Sequence, residues 1–136
     1  MENSKIPVCN EFLTHVHEFL GSTMLGAPED SPELSHNHRF AGVTGPEIQR
    51  PGGHVHIISV NSDFFFNHFH KVEVETGPPI LVRDQKGNII GHIHGFAGVT
   101  SCVFFHDHGF KGNTLIQNPI GMQERKDESD FDNINF

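Results

Sequence analysis

The sequence predicts an all-β fold: an antiparallel β-repeat of very low helix content, built from three modules of two His-x-His strands. Three observations predict it. First, a nine-residue phrase, His-x-His-x-Φ-x-[Gly/Val]-x-[Thr/Ser], occurs six times, with its fixed residues on alternate positions. Alternation puts side chains on one face of a strand, whereas on a helix the same residues would scatter around the axis. Second, Gly and Pro gather between the phrases, and few stretches combine a helical period with caps. Third, the phrases come in pairs, and the steps from His15 to His54 and from His54 to His92 are 39 and 38 residues. A period of that size marks a repeat architecture in which each unit leans on its neighbours.

The phrases begin at His15, His36, His54, His68, His92 and His106, and the second histidines are His17, His38, His56, His70, His94 and His108. The apolar position holds Phe19, Phe40, Ile58, Val72, Phe96 and Phe110, followed at the next odd position by Gly21, Gly42, Val60, Val74, Gly98 and Gly112. Each phrase closes on a hydroxyl, at Thr23, Thr44, Ser62, Thr76, Thr100 and Thr114. All 12 histidines of the chain are consumed by the six pairs, where chance placement would give about one such pair when matches are counted. Some function requires two imidazoles at a spacing of two, six times over.

Taken in order, residues 1–12 read as a polar N-terminal arm, 13–121 as the His-x-His β domain and 122–136 as a charged, disordered tail. Phrase one leads into residues 24–35, whose Gly26, Pro28, Asp30, Ser31 and Pro32 mark a long loop. Phrase two runs into Thr44-Gly45-Pro46, and Pro51-Gly52-Gly53 turns the chain into phrase three. Phrases three and four are joined by residues 63–67, with Phe64, Phe65 and Phe66. Phrases five and six are joined by 101–105, with Phe104 and Phe105. Between phrases four and five, stretches 80–83 and 89–92 flank Asp84-Gln85-Lys86-Gly87-Asn88, a hairpin turn. Along the strands the four phrase phenylalanines read as core. The interior glycines read as bulges or points of close backbone approach. Asp107, at an even position, reads as solvent-facing.

At 136 residues the chain is one domain with a modest core. Trp and Tyr are absent and Phe is 13, so Phe supplies the large apolar side chains. The net charge of −8 argues against a phosphate-backbone binder, so no nucleic acid partner is expected. Protonating the histidines at mildly acidic pH would reverse that sign. The start lacks a secretory pattern, and no apolar run approaches the ~20 residues of a membrane helix, so a cytoplasmic location without a membrane partner is expected. Cys9 and Cys102 form no CxxC pair. They read as free thiols of a reducing compartment, with a bridge within or between chains left open.

On a strand the two histidines of a phrase share one face, roughly 6.5–7 Å apart. Their rings can lean together to place two nitrogens about 2.0–2.1 Å from one ion. Imidazole suits zinc, iron, nickel and copper, whereas calcium and magnesium want oxygen. All twelve histidines are candidate ligands of such a transition metal ion. One pair supplies two ligands, two pairs on neighbouring strands would make a four-His site, and three pairs pooled by three chains would make a six-His octahedron. Imidazole ladders or a protonation switch without metal are the competing reading. The Thr and Ser positions are expected to bond locally or across strands rather than to an imidazole. Since an enzyme needs one site and the pairs recur six times, the expected function is non-enzymatic. The protein would be structural or self-assembling, as a trimer, fibre or other homo-oligomer, with metal cross-linking strands or subunits. The alternative is a metalloenzyme with one open three-His site. Against it, no His-x-His-x-Asp or His-Glu-x-x-His pattern is present, and no carboxylate holds a fixed place beside the pairs.

The phrases His15-Val16-His17-Glu18-Phe19-Leu20-Gly21, His36-Asn37-His38-Arg39-Phe40-Ala41-Gly42-Val43-Thr44-Gly45 and His68-Phe69-His70, the last followed by Thr76-Gly77-Pro78, resemble the YmaF family. The likeness runs from about Thr14 through Asn118-Pro119-Ile120-Gly121. It implies a small, histidine-pair-rich bacterial protein of a spore-former, assembled after release into a spore or cell-surface structure, and it implies no activity. A second, local resemblance is to the needle tips of phage tail fibres, where three chains pool His-x-His pairs around an iron ion. On that analogy the six pairs would be six metal layers, although the Gly/Pro connectors depart from a continuous needle.

Overall fold

A computed structural model describes residues 14–117. The expected arm at 1–12, with Cys9, and the expected tail at 122–136 lie outside the described residues. Cys102 is exposed with its thiol free.

The described chain is all-β, with antiparallel pairing throughout and one short 3-10 turn at Pro32–Leu34. Strand β1 (Glu18–Ser22) pairs with β2 (Arg39–Val43), β3 (Ile48–Arg50) with β4 (Gly53–Val55), and β5 (Ile57–Asn61) with β6 (Lys71–Glu75). Strand β7 (Pro79–Arg83) pairs with the first half of β8 (Ile89–Val99), whose second half pairs with β9 (Gly109–Asn113). The expected turn at residues 84–88 forms, with the Asp84 N–H donating to the Asn88 carbonyl at 2.9 Å and Gly87 at φ +88. The Pro51-Gly52 turn forms likewise, with Gly52 at φ +90. Among the described residues, no helix is long and apolar enough to cross a membrane.

Three hairpins, β1–β2, β5–β6 and β8–β9, carry the six phrases, and each meets the next through two backbone hydrogen bonds. Gly45 N–H donates to Ile57 and Asp63 N–H to Arg39, joining β2 to β5 at 2.9 and 2.8 Å. Gly77 donates to Gly95 and Ser101 to Lys71, joining β6 to β8 at 2.9 and 3.0 Å. Leu115 donates to Glu18 and Met24 to Gly109, joining β9 back to β1 at 2.8 Å each. The hairpins therefore close a ring around a shared interior.

That interior is filled by Phe19, Phe40, Ile58, Val72, Phe96 and Phe110, all 6% exposed or less. Across each hairpin, large faces small. Phe19 pairs with Gly42, Phe40 with Gly21, Phe96 with Gly112 and Phe110 with Gly98. A Cβ on Gly21 would stand 2.7 Å from the tip of the Phe40 ring, and one on Gly98 would stand 2.9 Å from that of Phe110. The middle hairpin solves the same problem with medium residues, Ile58 against Val74 and Val60 against Val72. Close packing at native density demands such compensation. The glycines serve close approach and not bulges, since neither register is shifted.

The strands are shorter than the phrases. Except in β8, they begin after the second histidine, because at that level the ladder passes to side chains. The buried N–H groups of His17, His38, His56, His70, His94 and His108 donate to the hydroxyls of Thr44, Thr23, Thr76, Ser62, Thr114 and Thr100 at 2.9–3.1 Å. In return the hydroxyl residue's own N–H donates to the histidine carbonyl, as Thr23 does to His38 at 2.8 Å. The expectation that these hydroxyls bond locally or across strands holds, with local bonds to the next carbonyl such as Thr23 to Met24, except that Thr44 Oγ1 also lies 3.4 Å from His56 Nδ1.

Candidate metal centre

Antiparallel pairing sends the two phrases of a hairpin in opposite directions. The first phrase of each hairpin therefore delivers its histidines to one end of the ring, and the second to the other. His15, His17, His54, His56, His92 and His94 gather at one end, and His36, His38, His68, His70, His106 and His108 at the other. Within each group one nitrogen per residue lies within 4.8 Å of all the others. All twelve candidate ligands are thus brought together, in two groups of six. Neither four-His sites nor six stacked layers are formed, and the three pairs of each group come from one chain instead of three.

The rings are arranged as the vertices of an octahedron. In the first group each imidazole stands edge-on to four others, with centroids 4.5–5.2 Å apart and planes crossed at 66–89°. The fifth ring lies opposite, pairing His15 with His94, His17 with His54 and His56 with His92. The second group repeats the pattern at 4.7–5.0 Å, with His36 opposite His70, His38 opposite His106 and His68 opposite His108. The closest neighbouring Nε2 atoms are 2.9–3.3 Å apart. An octahedron on such an edge has its centre about 2.1–2.3 Å from each vertex, close to the ~2.0–2.1 Å of an imidazole–zinc bond.

Which nitrogen faces inward is set from behind. The Nδ1–H of each second histidine donates to the carbonyl just after the closing hydroxyl of the neighbouring hairpin. His17 reaches Leu115, His38 Asp63, His56 Gly45, His70 Ser101, His94 Gly77 and His108 Met24, at 2.8–3.1 Å. In the second group the first histidines do the same two residues back: His36 to Leu34, His68 to Phe66 and His106 to Phe104, at 2.8–3.1 Å. In the first group His15 Nδ1 instead meets the Glu47 carboxylate at 2.6 Å. Outer partners of this kind fix the tautomer and raise the basicity of a ligating imidazole.

Sequence reasoning missed these partners. Glu47 and Asp63, the latter also 3.0 Å from His38 Nδ1 through its carboxylate, carry no pattern relative to the pairs. The carbonyls carry no side-chain signal at all. Only the constant position after each hydroxyl could have pointed to them. Asp107 is exposed, as its even position implied.

Burial pushes His17, His56, His92 and His108 down to about 4, and lowers His54, His68, His70 and His94 as well. For Glu47, burial acts upward, but the neighbouring His15 outweighs it and holds the carboxyl below its usual value. These eight imidazoles therefore favour the neutral form, which leaves a lone pair on the nitrogen opposite each Nδ1 donor. The Nε2 atoms of His56, His70, His94, His106 and His108 are buried without a hydrogen-bond partner among the described residues. Buried acceptors without partners are costly, and six converging lone pairs at this spacing fit a transition metal ion. Each group could hold one. Six imidazoles would fill an octahedral ion, leaving no position for substrate.

A family model described as YmaF, Spore germination protein GerY/YamF, matches residues 12–116. No curated protein and no solved structure matches the chain.

Proposed function

The chain belongs to the YmaF family of spore germination proteins, and on that footing we propose that it is a non-enzymatic metalloprotein of the spore, its three hairpins held together by two six-histidine metal ions. The observation that carries this reading is the pair of octahedral imidazole groups, with Nδ1 partners behind most rings and five buried Nε2 atoms without a hydrogen-bond partner among the described residues. The hairpins are taken as three copies of one module around a common axis, each giving one His-x-His pair to either end. One chain then does what three chains do in a phage needle tip. Metal would contribute directly to folding, because the unfolded chain does not preform the sites. Neither group needs a second chain, so self-association has no part in building them.

A saturated six-imidazole ion has no open site for Lewis-acid catalysis, which weighs against the metalloenzyme alternative. Six-coordination also weighs against zinc, which prefers four ligands in structural sites, and favours iron(II) or nickel(II). Metal-free protein reloaded with iron(II) without oxygen is expected to melt well above the metal-free form. Equal melting temperatures with metal demonstrably bound would remove the structural role.

A further inference from the structure

The two groups differ in enclosure. At one end the chain turns back over the metal-facing rings within each hairpin. The loop at residues 24–35, with Leu34, covers His36. The tight turns through Phe66 and Phe104 cover His68 and His106. Pro28, Leu34, Phe66 and Phe104 form an apolar cup over these three rings, which are 6–7% exposed. Two of the covering turns hold Phe66, Asn67, Phe104 and Phe105 at positive φ, between 50 and 70°. That left-handed backbone is disfavoured for non-glycine residues, so the covering is held at a cost. The carbonyls of Leu34, Phe66 and Phe104 pin the ring backs. At the other end the connectors run between hairpins, one forming the pair β3–β4 and the other strand β7 alongside the first half of β8. His15, His54 and His92 are part-exposed there, His15 with 25% of its side chain open. Among the described residues, no partner holds Nδ1 of His54 or His92, and His15 rests only on Glu47. These three mutually adjacent rings make one outward triangular face of their octahedron.

Resting on the metal reading above, we propose that the two centres have different duties. The group of His36, His38, His68, His70, His106 and His108 keeps its ion permanently. The group of His15, His17, His54, His56, His92 and His94 takes up and releases a divalent transition metal ion through the His15–His54–His92 face, with Glu47 latching His15. Release at this face needs the Glu47 latch on His15 to open and His54 and His92, whose Nδ1 atoms have no partner among the described residues, to rotate. At the enclosed end three carbonyl hydrogen bonds and an apolar cup must give way first. One ion holds the ring closed while the other is exchanged.

The test uses the full chain loaded with nickel(II), challenged with excess EDTA and followed by native mass spectrometry. The two-ion form is expected to pass to a one-ion form that outlasts it about tenfold or more, the scale on which outer-shell partners tune metal affinity. Paramagnetic broadening in the wild-type one-ion form should persist at Leu34 and Phe66 and vanish at Glu47 and Gln117. Glu47→Gln should speed only the first loss. Two ions leaving together, or residual broadening at Glu47, would overturn the proposal while leaving two bound ions per chain intact. A chain that takes up no nickel would overturn the metal reading itself.

Discussion

His36 and His68 face each other with their Nε2 atoms 3.2 Å apart, while the Nδ1–H of each donates to a backbone carbonyl. In the neutral tautomer that these bonds select, each Nε2 presents a lone pair and no proton, so the short contact between them is not a hydrogen bond. Two bare lone pairs at that separation repel unless a cation lies between them, and the same relationship joins His38 to His68.

Acid should destabilise the metal-free fold. His17, His56, His92 and His108 sit near 4 when folded against an ordinary 6.5. Between these values the unfolded chain binds more protons, so stability present above pH 6.5 is lost as pH falls toward about 4. Urea midpoints of the metal-free protein should decline across that window. A flat profile would show that the imidazoles are not buried neutral.

The closing hydroxyls should matter through the backbone. Thr76→Val removes the acceptor of the buried His56 N–H and should cost about 1–3 kcal/mol in unfolding free energy. Thr76→Ser, copying Ser62 in the neighbouring strand, should cost far less. Thr76→Val costing no more than Thr76→Ser would show that the hydroxyl adds nothing through the buried His56 N–H.

Cross-strand size compensation predicts a rescue. Gly21→Val drives a side chain into the Phe40 ring and should destabilise by about 1–3 kcal/mol or more. Adding Phe40→Val reproduces the Val60–Val72 pair of the middle hairpin and should recover part of the loss. Additive damage in a double-mutant cycle would contradict the pairing.

Six-nitrogen coordination predicts an order of metals. Nickel(II) should raise the melting temperature more than zinc(II), because zinc leaves two of six imidazoles unbound in its preferred tetrahedron. X-ray absorption showing four-coordinate zinc in a more stable protein would count against an octahedral site.

Much of this was legible in the sequence. The alternation His17, Phe19, Gly21, Thr23 named the strands, their buried face and the core, because a side-chain period of two survives any tertiary arrangement. The fixed hydroxyl announced a cross-strand role. What could not be read was how the six pairs combine. That depends on the antiparallel direction of the hairpins and on ring closure through Gly45, Gly77 and Leu115, whose backbone N–H groups leave no trace in composition. The outer partners were hidden for the same reason, being carbonyls, apart from the carboxylates of Glu47 and Asp63, which lie far in sequence from the His15 and His38 they meet.

The most direct test is the number of metal ions per chain, with native mass, on protein purified without a nickel column. Concentration must come from amino-acid analysis, as the chain has neither Trp nor Tyr. The account predicts two ions in a single folded chain. A folded chain with no ion after reloading, or ions found only where several chains share them, would contradict it.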